Sequence, residues 1–209
     1  MDAAIARVTP PETGAEHPFA PSSSALRLPG DPDLWFFIVA ELAMFGAFFV
    51  AYVVYRAAEV AVFDASQLEL DRGLGALNTL LLLTSSWAFA SAVAETRRNA
   101  NARVPRYLAM ALALGAAFVA VKGFEYFAKL SHGITITTNT FFMFYFALTG
   151  IHLLHVVGGM VMLSVVCIKA RHGAYHAGNT RGLETAASYW HMVDLLWIFL
   201  FALLYLLRR

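Results

Sequence analysis

Five long apolar segments dominate this chain, at about 34–56, 74–94, 107–127, 141–168 and 186–207. At 1.5 Å rise per residue each is long enough to cross a hydrocarbon layer of about 30 Å. The stretches between them are polar or helix-breaking: Asp64 to Gly73, Glu95 to Pro105, Lys129 to Asn139 and Arg171 to Gly182. None is long enough for a second domain. The expectation is an all-α, polytopic membrane protein, a bundle of five transmembrane helices over 34–209. An odd number of spans without a visible repeat argues against a transporter made of two equal inverted halves.

Residues 1–33 are polar and rich in Pro, Ser and Ala, without the positive stretch, apolar run and cleavage site of an export signal. They are expected to form a flexible tail. The 15 Lys and Arg against 14 Asp and Glu leave a net charge of +1, too little to neutralise a nucleic-acid backbone. A single cysteine, Cys167, excludes an intrachain disulfide and a tetrathiolate metal site. With the N-terminus in the cytoplasm, nine basic residues outside the spans fall on the inner side and five on the outer, so the positive-inside rule predicts that orientation.

Ionisable residues inside the apolar segments are the functional candidates, because charge in hydrocarbon needs a partner. Glu41 lies in the first segment, His152 and His155 in the fourth, and His191 and Asp194 in the fifth. Glu41, His155, His191 and Asp194 fall at similar inner depths, about 8–12 Å from their helix starts where counted. Together with His152 they are expected to form an intramembrane polar network. His152 and His155 are three residues apart, a spacing that projects both rings to one side. Hydrogen bonds to neighbouring helices are the simpler reading; metal ligation and proton transfer are the alternatives. Lys122 and Glu125 have the same spacing near the outer end of the third segment, and an outer ion pair is expected. Glu184 stands at a helix start, where the dipole alone favours a carboxylate. No nucleophile or substrate pocket accompanies these groups, so no catalytic, cofactor-binding or metal-binding residue is assigned.

Several motifs recur in an order that resembles subunit III of haem-copper terminal oxidases: AELAMF around Glu41, NTLLLLTSS from Asn78, KGFEY from Lys122, TGIHLLHVVGG from Thr149 and ETAASYWHMVDLLWIFLF from Glu184. The likeness runs from about residue 31 to the end and suits the short, five-helix form of that family. It implies that Glu41 is the helix carboxylate reactive to carbodiimide, that Glu125 ends its helix as in the family, that His152 and His155 are the paired histidines, and that His191 and Asp194 form the WHxxD pattern. It implies a non-catalytic subunit of the bacterial inner membrane that stabilises the catalytic subunit, holds phospholipid in a cleft between the first two helices and the last three, lined by Glu41, His152, His155, His191 and Asp194, and assists proton uptake. Haem, with copper or non-haem iron, would belong to the partner catalytic subunit. Lys122 departs from the long oxidase form, which usually has Gln there, and this points toward the quinol-oxidase or nitric-oxide-reductase-associated branches. The reading from another class is an independent transporter or proton channel using Glu41, His155 and Asp194.

Overall fold

In a computed structural model of the chain, residues 30–100 and 102–207 are described. Most of the expected tail, 1–29, lies outside them. The elements are α1 (Pro32–Ala58), α2 (Val60–Leu68), α3 (Arg72–Arg97), α4 (Val104–Ser131), α5 (Thr140–Arg171) and α6 (Arg181–Phe201), the last running into a π-helical turn over Ala202–Leu206. Among the described residues five helices, α1, α3, α4, α5 and α6 with its turn, are long and apolar enough to cross a membrane. At 26 to 32 residues they are longer than a hydrocarbon core requires, so their ends reach the headgroup layer.

Local chemistry sets the boundaries. Pro32 and Pro105 occupy first turns, where the missing N–H is no loss. Asp71 caps α3 by accepting from the Gly73 and Leu74 N–H groups at 2.7 and 3.1 Å, and Asn139 caps α5 through Phe142 N at 2.9 Å. His132-Gly133 and His172-Gly173 end α4 and α5 with a glycine in the left-handed region, at φ of +75° and +73°.

The helices start and stop further out than the apolar runs suggest. α6 begins at Arg181 rather than 186, because polar GLETAAS continues the helix before hydrocarbon begins. The stretch after the first span, expected to be only a joint, contains the short helix α2. Its anchor is Arg56, which reaches Asp64 at 2.6 Å and Gln67 Oε1 at 3.1 Å.

α3, α4, α5 and α6 form a closed ring in which α3 and α5 each pack against both α4 and α6. Ala88, Ala92 and Ala111 are fully buried and bring α3 and α4 into the most extensive seam. Trp190 fills the middle: a Cβ on Gly115 or Gly159 would stand within 2.9 or 2.8 Å of its ring. Its indole N–H donates to Ser85 Oγ at 3.1 Å, and Ser85 donates to the Ala111 carbonyl at 2.9 Å, tying α6, α3 and α4 together.

α1 stands outside that ring and leans on α5 and α6. A cleft dividing the first two spans from the last three is therefore not the division the fold makes, since the second span, α3, belongs to the ring. At the end of the bundle where α1 finishes, Gln67 Nε2 donates to the Leu203 and Leu204 carbonyls at 3.0 Å each, and Tyr52 OH donates to Leu203 O at 3.0 Å. These donors satisfy carbonyls in the π-helical turn and join α1 and α2 to it. At the opposite end Asp31 meets Arg181 at 2.5 Å and Arg97 meets Glu184 at 2.8 Å.

Candidate functional site: intramembrane acid–base groups

The ionisable residues are divided among four places rather than gathered in one. Lys122 and Glu125, on successive turns of α4, are buried. The Lys122 ammonium donates to Glu125 Oε2 at 3.1 Å, to Tyr145 OH at 3.1 Å and to Tyr205 OH at 2.8 Å, which occupies all three of its protons. Both phenols in turn donate to Glu125 Oε1, at 3.0 and 2.6 Å. The rings of Tyr145 and Trp197 also lie 4.6 and 5.3 Å from the ammonium. The pair sits inside the protein and is bonded to α5 and to the end of α6, so Lys122 does not snorkel.

Glu41 and His155 meet where α1 leans on α5, with His155 Nε2 3.1 Å from Glu41 Oε2. The contact is close but off the line of a well-aligned hydrogen bond, and Glu41 Oε2 has no other partner among the described residues. His155 Nδ1 faces the Ile151 carbonyl at 2.8 Å, and Phe45 packs edge-on to the ring. Tyr189 of α6 donates to the His155 carbonyl at 3.2 Å.

His152 does not share this site, although three residues separate it from His155. A turn of 300° over three residues leaves the two rings about 60° apart, enough to place them on opposite sides of a helix contact. His155 is directed at α1, whereas His152 is fully buried between Phe118 and Trp197 with neither ring nitrogen bonded among the described residues. His191 and Asp194 form the fourth place. Ser86 of α3 lies 2.5 Å from His191 Nδ1 and beside the Asp194 carboxyl. Asp194 is buried, and neither of its oxygens makes a well-aligned hydrogen bond to a described residue. The inner network expected from matching depths is thus two separate groups, because depth along a helix says nothing of azimuth around it.

Sequence reasoning missed Tyr145, Tyr205, Ser86 and the Arg56–Asp64–Gln67 set. Tyr145 lies one turn before Thr149 on the buried side of α5, a usable signal. Tyr205 carried none, since it is brought to Glu125 by the π-helical turn. Glu184, for which the dipole seemed sufficient, also binds Arg97. Trp87, in the second apolar segment, does not pack between helices: it is 59% exposed and only edge-on to Tyr107.

Among the described residues no group of three or more His, Cys, Asp or Glu could hold a metal ion. Five helices long and apolar enough to cross a membrane, with ionisable groups buried between them, define a polytopic helical membrane protein. Residues 30–208 match the family Cytochrome c oxidase subunit III, and the chain belongs to that family. It is 38% identical over 184 residues to cytochrome c oxidase subunit 3 of Synechocystis sp., covering 85% of this chain and 78% of that protein. To cytochrome c oxidase subunit 3 of Thermostichus vulcanus it is 32% identical over 174 residues, covering 83% and 85%. To the cytochrome bo(3) ubiquinol oxidase subunit 3 of Pseudomonas putida it is 29% identical over 177 residues, covering 83% of each. The chain is a subunit III-like component of a haem-copper respiratory complex and a multi-pass protein of the bacterial inner membrane. That membership sets aside the independent transporter.

Proposed function

We propose that the chain packs against the catalytic subunit of a haem-copper enzyme, stabilises it, holds phospholipid beside α1 and assists proton uptake through Glu41 and His155. The observation that carries the proton role is the Glu41–His155 contact. His155 Nδ1 faces a carbonyl, so it must be the donor there. Nε2 then meets Glu41 across 3.1 Å with a lone pair unless a proton sits between them. Imidazolium with carboxylate, or imidazole with carboxylic acid, would each place one proton at this contact once a small rotation aligns it, and a proton so placed can be passed on. The lipid role is supported by the exposed apolar surface of α1, including Phe36, Val39, Val50 and Val54.

The N-terminus is placed in the cytoplasm. Arg97, Arg98, Arg103, Arg106, Lys169, Arg171 and Arg181 all belong to helix ends or loops on the side where α1 begins. Single cysteines at Arg98 and His132 should be labelled from opposite sides, the first from the cytoplasm. The redox metals, haem with copper or non-haem iron, are assigned to the partner.

Similarity to cytochrome c oxidase subunits supports a terminal oxidase fed by cytochrome c. Lys122 and the similarity to a ubiquinol oxidase subunit support a second reading, the quinol-oxidase or nitric-oxide-reductase-associated branch. Turnover of the purified complex with cytochrome c, quinol and nitric oxide separates them. For the proton role, Glu41→Gln should lower proton uptake and turnover endurance severalfold while leaving the haem spectrum unchanged. Wild-type uptake and endurance in that variant would overturn the assignment.

A further inference from the structure

The α3–α4 seam is the edge of the ring opposite the α5–α6 edge on which α1 leans. Beside it, at the end of the bundle where α1 begins, lies a shallow pocket of about 250 Å³ lined by Arg103, Arg106, Tyr107 and Met110. These positions follow the helical repeat, so the pocket runs along one side of α4. Its chemistry changes with depth: two guanidiniums at the helix start, then a phenol, then a thioether roughly 10 Å further in. Trp87 of α3 borders it, its ring centroid 6.2 Å from that of Tyr107. Leu83 and Leu80, one and two turns deeper on the same side of α3, are 44% and 63% exposed and continue the apolar track.

The arginines at this end of the bundle are not alike. Arg97 meets Glu184 at 2.8 Å and Arg181 meets Asp31 at 2.5 Å. Arg103 has only Glu95, at 3.7 Å, which is too long for a charge-assisted hydrogen bond and is shared with Arg98 at 3.8 Å. Arg106 is exposed and makes no ion pair with a described residue. Two guanidiniums three residues apart on a helix can converge on one anion, and their forked N–H donors match a phosphate. A free anion would gain nothing from the exposed indole and leucines below. A zwitterionic lipid would bring a cationic headgroup against two arginines. The arrangement is complementary to a ligand that is anionic at headgroup depth and apolar beyond it.

We propose that this pocket holds the phosphodiester of an anionic phospholipid between Arg103 and Arg106, with an acyl chain lying along Trp87 and Leu83. The site is on the far side of the ring from the lipid placed beside α1. It depends on neither the proton role nor the identity of the catalytic partner.

Photoactivatable lipids test it. The affinity-purified full chain, with whatever partners it retains, is reconstituted with phosphatidylglycerol or phosphatidylcholine carrying a diazirine on the acyl chain, at equal mole fraction, and labelled peptides are mapped by mass spectrometry. Phosphatidylglycerol should label the α3 stretch containing Leu83 and Trp87 severalfold more than phosphatidylcholine, with or without excess inorganic phosphate. The preference should vanish in the double variant Arg103→Gln with Arg106→Gln and persist in Arg97→Gln, whose arginine is at the same end but already paired. Arg103→Lys with Arg106→Lys, which keeps both charges, should hold a preference, separating loss of charge from misfolding. Equal labelling by the two lipids, or a preference kept in the double Gln variant, would overturn the site. An equal loss in Arg97→Gln would reduce it to diffuse surface charge, and loss of the preference in inorganic phosphate would make the occupant free phosphate. No label in that stretch from either lipid would show it covered by protein. Each of these outcomes rejects the lipid site and leaves the subunit reading intact.

Discussion

Two buried acid–base pairs in this bundle share a chemistry and differ in what surrounds them. Lys122 and Glu125 lie within one helix, and their hydrogen-bonding capacity is met by two tyrosines from α5 and the end of α6. Glu41 and His155 belong to two helices at the seam where α1 leans on the ring, with one carboxyl oxygen meeting nothing but the imidazole among the described residues. A saturated cluster has no vacancy for an incoming proton and acts as a staple. An unsaturated pair at a loose seam is weaker as a staple and open to exchange. Saturation, rather than the presence of charge, is what distinguishes the two pairs, and it is the ground for proposing proton exchange at the second.

The largest effect should come from breaking the staple on one side only. Glu125→Leu leaves the Lys122 ammonium buried beside two phenols, and removal of one partner of a buried pair costs about 3–5 kcal/mol. The chain should then be lost from the membrane or melt far earlier in detergent. The double change of Lys122→Met with Glu125→Leu should recover much of that loss, since no unpaired charge remains. Equal losses in single and double variants would show that the cluster holds the fold by more than charge compensation.

Tyr205→Phe removes one donor from Glu125 and one acceptor from Lys122 while preserving the ring. A loss of about 1–3 kcal/mol is expected, read as a shift in the detergent melting midpoint. Overpacking provides a comparison of similar size. Gly159→Val pushes into the Trp190 ring and should cost about 1–3 kcal/mol, whereas Gly46→Ala, with nothing within 4 Å of the added carbon, should be silent.

Glu41→Gln should lie near the bottom of the stability series, below about 1 kcal/mol, because an amide can still meet the imidazole. Its proton uptake should nevertheless fall, which sharpens the contrast with Tyr205→Phe, where stability moves and uptake does not. Arg97→Ala should do least. Its partner Glu184 is at the bundle end and the arginine is largely exposed, so the pair is worth about 0–1 kcal/mol.

The sequence carried the five spans and their order because hydrocarbon demands length and apolarity, and both are visible along a chain. It also marked Glu41, Lys122, Glu125, His152, His155, His191 and Asp194 as candidates, since ionisable groups stand out against apolar neighbours. Which of them meet was not legible. Glu41 finds His155 and misses Asp194 because of rotation about helix axes, which similar depths do not encode. Tyr145 and Tyr205 look like ordinary aromatic fill until the bundle closes around Lys122. The short helix α2 was hidden because its apolar residues, Val60, Val62 and Phe63, are few and its anchoring donors, Arg56 and Gln67, read as loop polarity.

A membrane scaffold bound to a redox partner must carry that partner's haem through purification. Haem absorbance per mole of affinity-tagged chain, purified in mild detergent, tests this most directly. A fixed, stoichiometric haem content is expected in the wild type, retained in Glu41→Gln. A chain that purifies alone under several mild conditions, with its deletion leaving oxygen and nitric oxide turnover and complex stability unchanged, would contradict it.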